Sequence, residues 1–398
     1  MKKPDILIIG SGIVGLTIAR VMKARFPSSK VLILEKEDDV ARHSSGRNSG
    51  VLHAGFYYTA DSLKAKFTRR GNIALKEYCK ENGLRLNECG KVVVAKNESE
   101  IVSLFELEKR GKKNDVPLRI ITEQELNDIE PNARTYQYAL HSPTTATVNP
   151  EEVCMKLKEQ LMEEGVEFQF NEGFHLRIKD NVIKTTAGNR MEAGIIINAA
   201  GLYADKIARQ FNYCDDYTII PFKGVYLKYT FDDQPINTNI YPVPNLKNPF
   251  LGVHFTIMVD GTIKIGPTSV PAFWRENYKG LKNFSMNEFS NILSWESNLF
   301  FSNSFGFRNL AFEEMRKYAR PFFIRKATGL VKKINKKGFR EWSKPGIRAQ
   351  LLNIKTDELV QDFKVEGDKK SIHVLNAVSP AFTSSFPFAD WIVDHYVK

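Results

Sequence analysis

The chain has 398 residues, 42% hydrophobic and 26% charged, with a formal net charge of +11. This length and balance exclude a disordered or fibrous chain and leave room for two domains with sizeable cores. Four cysteines (Cys79, Cys89, Cys154, Cys214) form no CxxC pair or ligand cluster, which argues against a disulfide framework or a metal centre and for a reducing compartment.

The chain opens with Met1-Lys2-Lys3 and an apolar run, Ile6–Ala19. That run is short of the roughly 20 apolar residues a membrane span needs, and no small-residue cleavage site follows before Arg20. It reads as a strand and the start of a helix, and the expected location is cytoplasmic. Asp5-Ile-Leu-Ile-Ile-Gly10-Ser-Gly12-Ile-Val-Gly15 places a Gly-x-Gly-x-x-Gly turn between them, and Val31-Leu-Ile-Leu-Glu35 supplies a second strand ending in an acid. In such a unit the first glycine allows the tight turn. The second admits a pyrophosphate to bare backbone amides, the third lets the helix pack closely, and the acid accepts hydrogen bonds from ribose. A bound dinucleotide is expected.

A loop rich in Ser, Gly and Asn follows, Val40–Tyr58, then a helix marked by Leu63, Phe67, Ala74 and Tyr78. Cys89–Ala95 reads as a strand and Glu98–Gly111 as a helix. Thr122-Glu-Gln-Glu125 is a capping box. Asn149-Pro150 reads as N-cap and first residue of a helix burying Val153, Leu157 and Leu161. Short strands near 166–186 precede a third apolar strand, Gly194–Asn198, and a helix. Residues 222–270 alternate like antiparallel strands, with a hairpin turn at Asp260-Gly261. Met286, Phe289, Ile292, Trp295 and Leu299 mark another helix, Ser371–Ala377 a strand, and a last helix runs to about Tyr396.

These elements predict an α/β (α+β overall) chain. A Rossmann-like dinucleotide domain would span 1–88, 148–218 and 344–398, with an antiparallel-sheet substrate domain inserted at 89–147 and 219–343. The positive charge favours anionic partners: acidic substrates, phospholipid surfaces or nucleic acid. It crowds into one stretch: Arg316, Lys317, Arg320, Arg325, Lys326, Lys332, Lys333, Lys336, Lys337 and Arg340, interleaved with Phe312, Tyr318, Phe322, Phe323, Ile324, Leu330, Val331 and Ile334. Two readings stand: an amphipathic helix pair with a wet basic face, or a surface that meets an anionic membrane. No RNA-binding signature occurs, so nucleic acid is the weaker expectation.

The loop Arg42-His-Ser-Ser-Gly-Arg-Asn-Ser-Gly-Val-Leu-His-Ala-Gly-Phe-Tyr-Tyr58, with Ser62-Leu-Lys-Ala-Lys66, closely resembles the FAD-dependent L-2-hydroxyglutarate dehydrogenases/oxidases among the D-amino-acid-oxidase-like flavoproteins. Further resemblance runs through Cys89-Gly-Lys-Val, Ala200-Gly-Leu-Tyr-Ala-Asp205, Pro221-Phe-Lys-Gly224, Ile240-Tyr-Pro-Val-Pro244, Pro249-Phe-Leu-Gly-Val-His-Phe-Thr256, Gly346-Ile-Arg-Ala-Gln350 and Asn376-Ala-Val-Ser-Pro380. The resemblance implies FAD, held non-covalently, and oxidation of an L-2-hydroxy acid to the 2-oxo acid, with electrons passed to a membrane quinone or to oxygen. Oxidation of another hydroxy acid, glycerol 3-phosphate or an amino acid is the alternative; an RNA-associated flavoprotein is a more distant one. The resemblance further implies cofactor contacts from Gly10, Gly12, Gly15, Glu35, Lys36, Ser44, Ser45, Arg47, Asn48, Ser49, Gly50, Gly201, Ser379, Pro380 and Thr383. The chain departs from the usual pattern at Lys223, where the family usually has Arg, and at Leu375 and Val378.

Hydroxy-acid oxidation on a flavin needs a cation for the carboxylate and a base for the hydroxyl proton. Arg348 is the first choice for the cation, since a guanidinium pairs with a carboxylate through two parallel hydrogen bonds. Lys223 is the candidate for a second carboxylate and Tyr241 for a substrate hydrogen bond. His53 is the leading base, with two rival readings: a structural hydrogen-bonder of its loop, or a covalent flavin attachment point. His254, between Val253 and Phe255 on an apolar strand, is the second candidate.

Overall fold

The computed structural model describes residues 1–244 and 252–397. Pro249-Phe-Leu of the quoted segment lies outside the described residues.

The first strand, Ile6–Ile9, lies between Val31–Leu34 and Ile195–Asn198, paired in parallel with both. Its residues are apolar throughout because both faces are covered. Ile6 and Ile8 join Ile33, Ile197, Leu16, Met22, Leu157, Phe388 and Ile392 in one core. Leu7 and Ile9 point the other way, into a core with Leu32, Leu34, Ile196, Ile183, Met191, Ile207 and Phe211. The helices Ile13–Arg25, Pro150–Glu163 and Ala381–Tyr396 supply the first layer, and a three-stranded sheet with the Ala204–Arg209 helix the second. Fully burying one such side chain contributes about 1.5–3 kcal/mol, so this two-sided packing is what fixes the sheet. Six strands complete it; the outermost, Lys364–Gly367, is antiparallel to its neighbour Ser371–Asn376.

The eight-stranded sheet takes its strands from two stretches of sequence, 91–142 and 227–342. It is antiparallel except where the stretches meet: Asn239–Pro242 runs parallel to Lys91–Val94. Local alternation predicts each hairpin but carries no information about that junction. A four-stranded sheet is built on the long antiparallel ladder of Tyr217–Gly224 with Gly346–Asn353.

Local signals are realised as expected at several places. Thr122 and Glu125 form both halves of the capping box. Asn149 caps the Pro150–Glu163 helix, which buries Val153, Leu157 and Leu161. The Asp260-Gly261 turn joins His254–Ile257 to Ile263–Gly266, with Gly261 in the left-handed region at φ +84°. The Met286–Ser302 helix forms, but the face it buries is rotated: Glu288, Ile292, Glu296 and Leu299 point inward while Met286 is exposed. Glu288 goes inside because it receives Lys206 Nζ at 2.6 Å and the Arg275 backbone N–H at 3.1 Å.

The basic stretch is less helical than its spacing predicts. Helices cover Phe307–Arg316 and Arg320–Thr328, then the chain turns into the strand Phe339–Trp342. Phe323, Ile324, Leu330 and Val331 pack into the core of the eight-stranded sheet. Phe312 and Tyr318 stay exposed, as do Met315, Phe301 and Phe305.

Candidate active site

A cleft of about 510 Å³ runs along the carboxyl ends of the parallel strands, as expected for a sheet of this kind. Residues from three distant stretches line it: Gly10, Gly12, Glu35 and Ser45; Gly173, Thr186 and Gly201; Ile347, Val378 and Thr383. Gly10 makes the turn at φ +104°, where a Cβ would meet the Ala199 carbonyl oxygen at 2.7 Å. At Gly15 a Cβ would lie 2.0 Å from the Gly10 oxygen, so only glycine lets the helix start this close to the strand.

The expected cofactor residues divide by what they do. Ser44, Ser45, Arg47, Asn48, Ser49, Lys36, Ser379 and Pro380 all line the cleft with the residues above. Several also hold the loop in place: Ser44 Oγ donates to Ile347 O at 2.7 Å, Ser45 Oγ accepts from the Ile13 N–H at 2.9 Å, and Arg47 Nε donates to Arg42 O at 2.7 Å. Asn48 Oδ1 accepts from the Gly50 N–H at 2.7 Å. Thr383 Oγ1 accepts from the His53 N–H at 3.1 Å, tying the loop to the last helix. Gly15 and Gly50 are not in the lining; both serve close backbone packing, Gly50 at φ +73° with a Cβ position 2.3 Å from Val148 O.

Glu35 is buried, and its two oxygens accept from Ser11 N–H and Oγ, both at 2.8 Å, and from Glu37 N–H at 2.9 Å. A carboxylate has about four acceptor sites, so capacity remains for a ribose hydroxyl. The Lys36 ammonium is engaged with Glu276 at 2.6 Å and with Glu37. Glu276 also accepts from Tyr203 Oη at 2.7 Å. The bare glycine turn, the acid at the end of the second strand and the elongated cleft between them fit FAD.

A second, smaller cavity adjoins the cleft, and the two share Ser49, His53, Tyr226, Pro267, Arg348, Val378 and Ser379. Four expected substrate residues meet in it: His53, His254, Tyr241 and Arg348. Lys223 does not line it. In the ladder Lys223 pairs with Ile347 while Phe222 pairs with Arg348, and neighbours along a strand point to opposite faces. The expectation for Lys223 therefore fails on strand parity. Lys64, Gln350, Val360 and Gln361 complete the lining and were not anticipated. One signal for Lys64 was available: it is the second residue of the Leu63–Glu81 helix, where the helix dipole disfavours a cation.

Arg348 Nη1 donates to Ser269 Oγ at 2.7 Å. His254 Nδ1 lies 2.8 Å from Gly252 O; because a carbonyl only accepts, Nδ1 carries the proton and Nε2 keeps its lone pair. His53 Nδ1 is buried without a hydrogen-bond partner among the described residues. Both imidazoles are held neutral. Burial, reinforced by the Lys91 cation, pushes His53 down to about 3. Burial drives His254 well below its ordinary value, against the Gly252 hydrogen bond, with Lys91, His53 and Arg348 adding to the depression. Lys91 itself is fully buried, 4.4 Å from the Tyr241 ring centroid, and its Nζ has no hydrogen-bond partner among the described residues.

A dinucleotide cleft opening onto a cavity with one guanidinium and two neutral imidazoles defines a nucleotide-cofactor oxidoreductase. The family of FAD dependent oxidoreductases (DAO) matches residues 5–395. The chain is 37% identical over 402 residues to L-2-hydroxyglutarate dehydrogenase of Indibacter alkaliphilus, covering 99% of each chain. It is 36% identical over 413 residues to the mitochondrial L-2-hydroxyglutarate dehydrogenase of Homo sapiens, covering 98% of this chain and 88% of that one. Among solved structures, α-glycerophosphate oxidase of Mycoplasma pneumoniae, with FAD bound, shares the fold at a TM-score of 0.77, with 21% identity over 99% of this chain and 94% of that one. The chain belongs to the FAD dependent oxidoreductase family and, within it, to the L-2-hydroxyglutarate dehydrogenases.

Proposed function

We propose that this enzyme oxidises L-2-hydroxyglutarate to 2-oxoglutarate. The observation that carries the reading is the end-to-end similarity to dehydrogenases of that name, and the cavity supplies chemistry that suits it. FAD, when bound, accepts the hydride that leaves C2. Arg348 holds the C1 carboxylate through charge-assisted hydrogen bonds. His53, whose imidazole lines the cavity, takes the hydroxyl proton. Its place on the wall common to cleft and cavity supports this over His254, which lines the cavity alone. His254, with its proton fixed on Nδ1, orients the substrate through Nε2, and Tyr241 packs behind it. The test is anaerobic mixing of the holoenzyme with L-2-hydroxyglutarate, other 2-hydroxy acids, glycerol 3-phosphate and amino acids. Flavin bleaching and 2-oxoglutarate formation with the first are expected; bleaching by glycerol 3-phosphate or an amino acid instead overturns the assignment.

We further propose that the enzyme works at an anionic membrane surface, where a quinone can take the electrons. No described helix is long and apolar enough to cross a membrane. What supports peripheral contact is that Phe301, Phe305, Phe312, Met315 and Tyr318 are exposed in the same stretch of chain as the exposed cations Arg308, Arg316, Arg325 and Lys326. Apolar side chains interspersed with cations suit an interface of lipid tails and acidic headgroups.

A further inference from the structure

The small cavity is lined by two cationic side chains, Arg348 and Lys64, and by no carboxylate among the described residues. Arg348 also borders the cofactor cleft; Lys64 does not, so it stands at the end away from the cofactor. Lys64 is buried, with 7% of its surface exposed. Its ammonium lies 5.8 Å from the ring centroids of Tyr58 and Phe363, and no carboxylate among the described residues is within ion-pair distance of it. Asp362 is the counter-charge that acts on it, and its carboxylate accepts from the backbone N–H groups of Leu63, at 2.7 Å, Lys64, at 2.9 Å, and Phe363, at 2.9 Å.

A buried cation at a helix N-terminus is doubly unfavourable, since desolvation and the helix dipole both oppose it. Both penalties turn into attraction when an anion arrives. Other side-chain donors at this end are already engaged at least in part. Gln350 Nε2 donates to Val360 O at 2.8 Å, Gln361 Nε2 to Leu359 O at 3.1 Å, and His254 uses Nδ1 on Gly252 O. Lys64 is the cationic donor at this end among the described residues.

We infer that Lys64 holds the distal carboxylate of a dicarboxylic 2-hydroxy acid whose C1 carboxylate sits on Arg348, and so selects dicarboxylates over monocarboxylates of the same chain length. The assignment rests on the activity proposed above and extends it to a residue that sets specificity. It also fills the place expected of Lys223. The two cations match the two charges of the substrate, and misfit follows for a substrate that leaves Lys64 buried and unpaired.

The test compares L-2-hydroxyglutarate with L-2-hydroxyvalerate on the holoenzyme, in wild type, Lys64→Met and Lys64→Arg. A charge-assisted contact of this kind sets the expected scale: in Lys64→Met the ratio of kcat/KM between the two substrates falls roughly 10- to 150-fold. Lys64→Arg keeps a cation and restores most of the ratio. Glutarate, which cannot react, supplies a second readout: its perturbation of the flavin spectrum requires a correspondingly higher concentration in Lys64→Met. An unchanged ratio, or an equal loss with both substrates, overturns the assignment. A wild-type enzyme that oxidises neither hydroxy acid defeats the proposed activity itself, a result distinct from the pattern among variants.

Discussion

Tyr241 lies flat against His254, their ring centroids 3.7 Å apart and their planes 16° apart. The same Tyr241 ring stands 4.4 Å from the Lys91 ammonium. One aromatic ring thus joins a buried lysine to a buried imidazole, and that imidazole lines the cavity with Arg348. This stack holds His254 in one orientation, and burial above all keeps it and His53 unprotonated, with Lys91 adding to the effect. The site is charged to receive anions, and its imidazoles are deprotonated.

Substitution of Arg348 by Lys should leave FAD bound and weaken catalysis. Loss of the paired geometry costs about 2–3 kcal/mol, roughly a 30- to 150-fold fall in kcat/KM. Steady-state kinetics with the flavin content measured on the same sample checks it, and an unchanged kcat/KM removes Arg348 from the site.

The pH profile of kcat/KM should be flat from about pH 5 to 7. An unperturbed histidine would impose a rise near pH 6.5, but His53 is pushed down to about 3 and is already deprotonated there. The alkaline side behaves differently. Burial lowers Lys64 to about 8, the Asp362 carboxylate opposing that fall, with Tyr58 and Phe363 around the ammonium. Its cation is present below that pH and lost above it, so kcat/KM for a dicarboxylate should decline above pH 8. A rise centred near 6.5 contradicts this description of His53.

Substitution of His53 by Ala should slow flavin reduction by about 10²–10⁴-fold while FAD remains bound. Stopped-flow reduction under anaerobic conditions measures it. Denaturing the wild-type protein should release FAD into solution, since His53 is assigned proton transfer rather than attachment. A large loss in His254→Ala with little in His53→Ala exchanges the two roles.

Two glycines should fail in different ways. Gly15→Ala places a Cβ 2.0 Å from the Gly10 oxygen and should destabilise the fold by about 1–3 kcal/mol, read by thermal unfolding. At Gly12 the nearest atom to an added Cβ is Ser45 Oγ at 3.0 Å, a side chain that can yield. Gly12→Val should therefore fold and lose FAD, giving a colourless protein of near-normal stability. Retention of FAD by that variant argues against pyrophosphate contact there.

Flotation with liposomes should show binding that needs anionic lipid and falls with salt. Replacing Phe301 and Phe312 by Ser should abolish it without altering kcat/KM on a soluble acceptor. Equal absence of binding to neutral and anionic vesicles at low salt means that the basic face is only solvated.

What was legible in the sequence was what is encoded locally. The glycine turn, the acid after the second strand, the capping box at Thr122 and the Asn149-Pro150 helix start each depend on a few adjacent residues. Family resemblance brought His53, Tyr241, His254 and Arg348 to notice, and all four line one cavity. What was not legible depends on distant pairing. The parity of the Tyr217–Gly224 ladder against Gly346–Asn353 turns Lys223 away and is invisible in either strand alone. Lys64 lies inside a recognised segment, yet its role shows only when residues 348–361 fold against it. The Met286–Ser302 helix rotated because Lys206 and Arg275 draw Glu288 inward, an ion-pairing preference that hydrophobic spacing cannot register.

The cofactor cleft is written by stretches that end at Thr383. No nascent chain short of that residue owns a complete wall, and the Ile6–Ile9 strand must wait for Ile195–Asn198 and Ser371–Asn376 before its sheet is whole. Capture of FAD is therefore a late event in the life of each molecule. A message truncated upstream of residue 371 yields a polypeptide with an open sheet edge and no ligand to close around, a species for proteolysis rather than for partial activity.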